Sequence, residues 1–404
     1  MLYDINLEKS NCGVGFITRK DGNQTHELLK LGHEALCKVP HRGGMASDGV
    51  GDGAGISVDL SLNYFEKLTR KKLKKGLFGV GNFFLPMDSR DKLAAERFVN
   101  TVLIDFELKV VLERDLPINE DCLTEIQKAS QLPIKQWIFL SEIKRTEKEF
   151  ASAIYKALLE IEKKAFTLTS LEGLYPLSMS SKMQVLKGRL NSSEIIPFFK
   201  DLSDPEHKVK ILYFHTRFST NTKPQPAMAQ PFHLIAHNGE LNTDKKNRIS
   251  ENAIAQTKKR SVVSPFGQSD SCRLDQTIQS RLNEDRIDIV TAVVSMMPPA
   301  WENDPTLSQD LKSMFEYYSL YEEKNDGPAA LIFCDGEIIG ARLDRLGLRP
   351  LRSVETDEYL AVMSEAGQIN FPPEKIISLG RIEAGGMLYF DHNEAETYNT
   401  SQAL

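Results

Sequence analysis

The sequence lacks the long apolar runs that a membrane-spanning helix needs. No stretch approaches the ~20 consecutive apolar residues that cross a bilayer, and the acidic start does not resemble a secretory signal. Lysine and arginine (50 residues) do not outnumber aspartate and glutamate (56 residues), so the net charge is −6. This balance argues against nucleic acid or an anionic membrane as a partner, because both attract positively charged surfaces. We expect a cytoplasmic protein.

Cysteine is scarce and scattered along the chain. The five cysteines are Cys12, Cys37, Cys122, Cys272 and Cys334. No two of them form a C-x-x-C pair, and the eight histidines do not cluster with them at the spacing of metal ligands. The sequence therefore predicts neither a zinc or redox site nor an intrinsic metal, and we expect four of the cysteines to be buried small hydrophobes.

Apolar runs predict strands towards both ends of the chain, with helices between them. We expect strands near 12–18, 53–59, 77–85, 211–216, 231–236, 329–334, 336–342, 358–363 and 386–390. Helical periodicity is present near 24–38, 90–104, 147–163, 269–282 and 308–321. This order fits an α+β layered fold better than a regular βαβ alternation.

The segment 61–210 carries no motif that indicates chemistry. Its basic run, Arg70–Lys75, is typical of a solvated helix face rather than a binding patch. With no internal repeat and no linker of disordered composition, the sequence favours one compact unit with long insertions.

Cys12 is the most informative residue, because it opens a small apolar segment close to Met1. If the preceding peptide were removed, Cys12 would offer a thiol nucleophile and an α-amine of pKa about 7.7–8.0, which acts as a base near neutral pH. The alternative is a buried core cysteine.

Two further motifs contain groups that could bind a substrate carboxylate or an oxyanion. Arg217 follows an apolar strand and is suited to a two-pronged grip on a carboxylate, although a structural ion pair would look the same. Asn238 and Gly239 form either the turn of a hairpin or a pair of donors for an oxyanion.

The last motifs have both structural and functional interpretations. In Ser269-Asp270-Ser271, either of the first two residues could cap the following helix, or the carboxylate could bind a substrate ammonium. The glycine-rich run His41–Gly55 lacks the lysine of a phosphate-binding loop and is compatible with a structural turn or an active-site wall.

Together these motifs resemble one family, the class II glutamine amidotransferases of the N-terminal-nucleophile type, and within it the glutaminase domain of glutamate synthases. The motifs that carry the resemblance are Cys12–Phe16, His41–Gly43, Gly51–Gly55, His215–Thr222, Ala229–Phe232, His237–Thr243, Ser269–Ser271, Pro298–Trp301, Asp326–Ala329, Leu343–Pro350 and Ser364–Glu365. They lie in order from end to end, so the resemblance covers nearly the whole chain.

The resemblance implies a four-layer αββα sandwich over residues 12–404, preceded by a propeptide-like segment, 1–11. It implies that Cys12 is the nucleophile and, after cleavage, its α-amine the base. It also implies roles for seven further residues: Asn238 and the Gly239 N–H stabilise the oxyanion, Arg217 holds the α-carboxylate of glutamine, Asp270 holds its α-ammonium, and Thr220, His237 and Glu240 also bind substrate.

The resemblance also implies a reaction and a partner. L-Glutamine would be hydrolysed through a Cys12 thioester, and the ammonia would supply glutamate synthesis on a separate synthase subunit. That subunit would carry FMN and an iron–sulfur cluster, and no cofactor is expected in this chain.

Two alternatives remain open at this point. One is an unprocessed, non-catalytic regulatory or interaction module of the same fold, suggested by the segment Pro224–Met228, where family members usually carry a tryptophan. The other is a hydrolase for a different amide. The Arg217 and Asp270 pair argues against it, since a substrate without the amino-acid charges would leave both side chains unpaired.

Overall fold

The computed structural model describes residues 12–43, 50–51, 53–217, 229–241, 252–260, 263, 268–321, 325 and 327–403. Its strands are β1 (Val14–Arg19), β2 (Ala54–Asp59), β3 (Phe78–Phe84), β4 (Leu108–Asp115), β5 (Ile134–Ser141), β6 (Tyr175–Ser180), β7 (Met183–Gly188), β8 (Ile211–His215), β9 (Ile235–Gly239), β10 (Ala329–Cys334), β11 (Ile338–Leu343), β12 (Arg352–Thr356), β13 (Tyr359–Met363), β14 (Ile376–Arg381), β15 (Met387–Asp391) and β16 (Glu396–Asn399).

The α-helices confirm the five helical segments that the periodicity predicts and add shorter ones. They are α1 (Glu27–Cys37), α2 (Leu62–Thr69), α3 (Ser89–Asp105), α4 (Glu125–Ser130), α5 (Glu147–Ala165), α6 (Ile195–Phe198), α7 (Asp270–Ser280), α8 (Ile289–Met296), α9 (Gln309–Ser319) and α10 (Thr400–Ala403). Side-chain caps fix several helix starts. Asp88 accepts the first free N–H groups of α3, and Thr146 forms a capping box with Glu149 at the start of α5.

The described residues form two compact units. The first contains residues 12–13 and most of 23–233, and the second contains 14–22, 234–260 and 268–403, each with the gaps given above. In the first unit, β8, β2 and β7 form antiparallel pairs in that order, and α1 packs against β8. The end of β8 is the part of this layer that carries a candidate site residue.

A second sheet in the first unit, in the order β4-β5-β3-β6, organises the segment 61–210. Helices α3 and α5 cover one face with a large apolar core that includes Phe83, Trp137 and Phe150. Tyr64 and Phe65 of α2 join a separate apolar cluster with Phe78, Val80 and Ile138. The interpretation of this segment as insertions was therefore incomplete, because it builds a layered structure of its own.

The second unit holds two antiparallel sheets, in the orders β14-β12-β13-β1 and β16-β15-β11-β10-β9. Strand β1 contacts β9, β10 and β11, so these two sheets face each other. Helix α8 packs against β10 and against α7, which adds a helical layer. The expected α+β sandwich is confirmed.

Three local expectations were wrong. The strand expected at 231–236 begins only at Ile235 and extends to Gly239. Helix α2 ends at Thr69 and Arg70 adopts a left-handed conformation (φ 53°), so the basic run continues into a loop instead of forming a helix face. Cys37 is exposed, because it is the last residue of α1, and Cys122 is only partly buried.

Candidate active site

The structure describes the backbone from Cys12 onward, and in the first unit Thr216 holds the residue that follows Cys12. Cys12 is 6% exposed. The N–H of Gly13 donates to Thr216 Oγ1 at 2.7 Å, and the N–H of Thr216 donates to the Gly13 carbonyl at 3.0 Å. Thr216 Oγ1 in turn donates to the carbonyl of Arg42 at 3.3 Å. This reciprocal pair fixes the peptide that follows the expected nucleophile.

Gly13 is a close fit in this arrangement. An added Cβ would lie 3.0 Å from both Cγ2 and Oγ1 of Thr216 and 3.4 Å from Cβ of Arg42. These distances are tighter than ordinary van der Waals contacts, so a larger residue would push Thr216 away. The small residue after Cys12 therefore lets the threonine approach the backbone closely.

Ser364 makes the corresponding contacts one residue later, within the second unit. Its Oγ accepts the N–H of Val14 at 3.2 Å, and its own N–H donates to the Val14 carbonyl at 2.9 Å. The sequence singled out Ser364 as part of a motif without a role. The structure shows that it anchors the start of β1, two residues after Cys12.

Arg217 lies directly after Thr216, at the end of β8. Its backbone N–H donates to Nδ1 of His215 at 3.1 Å, and its side chain is half-buried. The structure therefore brings the expected carboxylate-binding residue to the same short segment that contacts Gly13. Thr220 and the segment Pro224–Met228 lie outside the described residues.

Strand β9 carries Asn238 and Gly239 at the edge of its sheet. Asn238 pairs with Ala330 and Gly239 with Ala329, and the N–H of Glu240 donates to the Pro328 carbonyl at 3.0 Å. Antiparallel ladders alternate hydrogen-bonded and non-hydrogen-bonded pairs. Because Glu240 bonds to β10's neighbour Pro328, Gly239 occupies a non-hydrogen-bonded position, and its N–H points away from β10.

Hydrogen bonds on the outer sides of strands β9 and β10 support this direction of the Gly239 N–H. The N–H of Ala329 also points out of the pair and donates to Asp344 Oδ2 at 3.0 Å. Ile235 lies four residues before Gly239 and therefore occupies the same kind of ladder position. Its N–H also points away from β10, and it donates to Asp275 Oδ1 at 3.1 Å. The Gly239 N–H is thus directed outward from the edge strand of the sheet.

Gly239 also has a backbone that only glycine accommodates here. Its φ is +135°, and an added Cβ would lie 1.7 Å from the Pro328 carbonyl oxygen. The hairpin interpretation of Asn238-Gly239 was wrong, since both residues lie within the β9–β10 ladder instead of forming a two-residue turn. Glycine is required at position 239 because the backbone there passes close to the carbonyl of Pro328.

Helix α7 places Asp270 beside this strand. Ser269 is the N-cap, and its Oγ accepts the N–H of Cys272 at 3.1 Å, so Asp270 is the first helical residue and not the cap. His237 Nε2 is hydrogen-bonded to Ser271 Oγ, and Asp275 Oδ1 accepts the N–H groups of Leu234 and Ile235. The strand and the start of the helix are therefore tied together.

The side chains of β9 divide between its two faces. Because successive strand side chains alternate, Asn238 points to the face opposite His237, and it is 2% exposed. Glu240 is exposed just after the strand. In the second unit the structure therefore ties His237 to Ser271, the neighbour of Asp270, and places the Asn238 side chain on the other face of β9.

His237 is held in its neutral form. Burial, together with the positive charge of Arg349, lowers its pKa to about 4. A neutral ring at pH 7 can share a hydrogen bond with Ser271 without placing a positive charge on β9. Among the described residues, no three His, Cys, Asp or Glu side chains gather as metal ligands.

Acidification should destabilise the protein between pH 6.5 and about 4. In that range the unfolded chain takes up a proton on His237 and on His207, whose pKa burial also lowers to about 4, while the folded chain does not. The free energy of unfolding therefore falls as the pH falls, by about 2 kcal/mol per histidine from pH 6.5 to 5.

Urea unfolding at pH 7, 6 and 5 measures this dependence. The His237→Gln variant should show a shallower decline than the wild type, because one of the two contributing groups is gone. Equal slopes for both proteins would contradict the assignment of His237 as a buried neutral base.

Comparison with known proteins decides the family. The family model of the class-II glutamine amidotransferases matches residues 12–403. The chain belongs to the class-II glutamine amidotransferases. This confirms the family resemblance drawn from the motifs, and the matched region begins at Cys12.

The chain is similar to two glutamate synthases. Ferredoxin-dependent glutamate synthase 2 of Synechocystis sp. is 32% identical over 98% of this chain and 26% of its own length. The large chain of the NADPH glutamate synthase of Bacillus subtilis is 33% identical over 97% of this chain and 27% of its own length. The chain therefore spans about a quarter of the length of these relatives.

A solved structure gives a weaker similarity. The glutamine phosphoribosylpyrophosphate amidotransferase of B. subtilis, complexed with ADP and GMP, is 15% identical over 96% of this chain and 48% of its own, with a TM-score of 0.40. At that score the likeness carries no argument about this chain. Separately, no helix in the described part of the chain is long and apolar enough to cross a membrane.

Sequence reasoning did not identify the residues that position the candidate groups within each unit. Thr216, Ser364, Asp275 and Asp344 act through backbone groups that are distant along the chain. Thr216 and Ser364 lie inside motifs, which is a signal that they matter, but the motif does not say which N–H they hold. Asp275 carries no signal beyond being an acidic residue on an otherwise buried helix.

Proposed function

We propose that this chain is a glutaminase that hydrolyses L-glutamine to glutamate and ammonia through a thioester on Cys12. The observation that carries the proposal is the geometry of Gly239, whose N–H points away from β10 at the edge of the sheet, next to the buried Asn238. A backbone donor beside an amide side chain is suited to a tetrahedral oxyanion. The family match over residues 12–403 supports the same reaction.

The chemistry follows from one nucleophile and one base. After removal of residues 1–11, the α-amine of Cys12 accepts the thiol proton, and Sγ attacks the side-chain carbonyl carbon of glutamine. The C–N bond breaks, the proton passes to the leaving nitrogen, and ammonia departs to leave a thioester. Water then attacks the thioester carbon, which releases glutamate and restores the thiol.

We assign the substrate grip to charged groups at opposite ends of the amino acid. Arg217 would bind the α-carboxylate in two-pronged fashion, and Asp270 would bind the α-ammonium. Asp270 at the first position of α7 is a carboxylate at the positive end of the helix dipole. His237, Glu240 and Thr220 are proposed as further substrate-binding residues.

The acceptor of the ammonia belongs to the same proposal. The relatives are glutamate synthases about four times as long as the matched region. We propose that the ammonia supplies glutamate synthesis in a synthase subunit carrying FMN and an iron–sulfur cluster, within cytoplasmic nitrogen metabolism.

A substrate panel tests the proposed reaction. The purified chain should release ammonia from L-glutamine, much more slowly from L-asparagine, and not detectably from simple amides that lack the two α-charges. The reason is that a substrate without these charges cannot make the contacts proposed for Arg217 and Asp270. Equal rates for glutamine and a simple amide would favour a hydrolase for another amide.

Replacing Thr216 should test whether the Gly13 peptide positions the nucleophile. Thr216→Val leaves the Gly13 N–H without its 2.7 Å acceptor and should lower kcat about tenfold or more, with KM for glutamine nearly unchanged. Thr216→Ser keeps the hydroxyl and should retain most of the activity. A rise in KM at constant kcat in the valine variant would instead indicate a role in substrate binding.

A further inference from the structure

A cavity in the second unit has no role in the proposed reaction. It lies between one face of the neighbouring strands β14, β12 and β13 and the segment 365–371, and its volume is about 550 Å³. Cavities of roughly 300–1,000 Å³ are typical of small-molecule sites. The walls are mostly apolar and include Val354, Met363, Ile369, Phe371 and Leu379.

A buried donor lines this cavity. Gln368 is 2% exposed, and its Oε1 accepts the N–H of Glu365 at 3.1 Å. Its Nε2 has no hydrogen-bond partner among the described residues. Buried polar groups are nearly always hydrogen-bonded, so this amide nitrogen indicates a missing acceptor. A bound molecule that offers an oxygen atom would supply it.

Two arginines stand side by side at the same cavity. Arg352 and Arg381 are direct cross-strand partners of β12 and β14, and both line the cavity. Neither forms an ion pair or a side-chain hydrogen bond with any residue in the described part of the chain. Like charges directly opposite each other destabilise a sheet, and an anion bound between them would remove that cost.

The acidic residue at the cavity does not neutralise this pair. Glu365 lines the cavity through the turn that follows β13, but it forms no ion pair with Arg352 or Arg381. The arginines therefore offer several N–H donors at one end of an apolar cavity, and Gln368 offers one more from its buried lining.

We propose that this cavity is a binding site for a small organic anion. Its carboxylate or phosphate group is held between Arg352 and Arg381, its apolar body lies against Met363, Phe371 and Leu379, and it accepts a hydrogen bond from Gln368 Nε2. The site lies within the second unit and does not depend on the proposed glutaminase reaction.

Isothermal titration of the full chain with four six-carbon probes tests this site. Hexanoate and hexyl phosphate share the apolar body and differ in the anionic group, while hexan-1-ol and hexylamine replace it with a neutral or a positive group. At least one of the two anions should bind saturably at one site per chain, and the stronger one identifies the preferred group. The alcohol and the amine should not bind.

Substitutions locate the binding on the chain. Arg352→Gln and Arg381→Gln should each weaken anion binding about tenfold, because each removes a charge-assisted contact. Gln368→Glu keeps an acceptor for the Glu365 N–H, removes the donor and should weaken binding as well. Arg90→Gln, an exposed arginine of α3 in the first unit, is the matched control and should bind like the wild type.

Three results would overturn the proposal: no saturable binding of either anion at millimolar concentration, equal binding of hexan-1-ol, or anion binding that survives both arginine substitutions. Because the two arginines are exposed, their variants keep the proposal testable even if Gln368→Glu fails to fold.

Discussion

Replacing Cys12 with alanine should abolish glutamine hydrolysis and leave the fold intact. The variant loses the only sulfur that the proposed mechanism uses, and loss of a nucleophile lowers kcat by at least about 10⁴-fold in comparable enzymes. The fold should survive, because Gly13 and Val14 keep their hydrogen bonds to Thr216 and Ser364. Glutamate release and near-ultraviolet circular dichroism measure the two parts of this expectation.

The matched control for this variant is Cys37→Ala. Cys37 is an exposed residue at the end of α1, and partial desolvation of its thiol, with the negative charge of Glu34, raises the thiol pKa, which makes it a poor nucleophile. Its variant should hydrolyse glutamine at the wild-type rate. Undiminished glutamate release from Cys12→Ala would refute the assigned nucleophile.

Replacing Gly239 with alanine should cause the second-largest loss. The added Cβ would overlap the Pro328 carbonyl oxygen at 1.7 Å, and the φ of +135° is one that residues with a side chain rarely adopt. The end of β9 must then move away from β10, which displaces the N–H proposed to stabilise the oxyanion. We expect kcat to fall about 10²- to 10³-fold, the effect of losing one oxyanion donor.

Gly22→Ala separates this effect from backbone strain alone. Gly22 also has a positive φ (+72°), but nothing lies within 4 Å of an added Cβ. Its variant should lose about 1 kcal/mol of stability and keep its kcat. If Gly239→Ala kept wild-type kcat, the oxyanion role of the Gly239 N–H would be wrong. A thermal unfolding scan of both variants shows how much of any loss is due to unfolding.

Strong local patterns in the sequence predict much of the fold. Helix α5 combines a long amphipathic stretch with a Thr146–Glu149 capping box, so periodicity and capping agree on its start. Strand β10 is a short apolar run with all residues buried, and it was predicted at its observed position. Such elements depend mainly on information within a few residues.

Strand β4 shows why other elements could not be predicted. Its sequence does not alternate, because three apolar residues, Val110–Leu112, are followed by three charged ones, Glu113–Asp115, and most of its side chains are only partly buried. Arg114 is acceptable there because it forms an ion pair with Asp201, which is distant in sequence. Local propensity is overridden in such cases by partners that only the folded chain brings near.

In the candidate site, too, some features could be predicted from the sequence and others depend on contacts between distant residues. The motifs located Cys12, Arg217, Asn238 and Gly239, because reactive and charged residue types in unusual contexts are visible in a sequence. The motifs could not show that the Gly239 N–H points away from β10, since that direction depends on which positions of the β9–β10 ladder are hydrogen-bonded. The contact of Thr216 with Gly13 spans 203 positions and was equally hidden.

Intact mass measured before and after incubation with an electrophilic glutamine analogue tests the central claim most directly. The account predicts a mass that lacks residues 1–11 and gains one adduct, located on Cys12 by peptide mapping, with excess L-glutamine slowing the reaction. A full-length mass without an adduct, or an adduct on another cysteine, would contradict the claim that Cys12 is a processed nucleophile that binds glutamine.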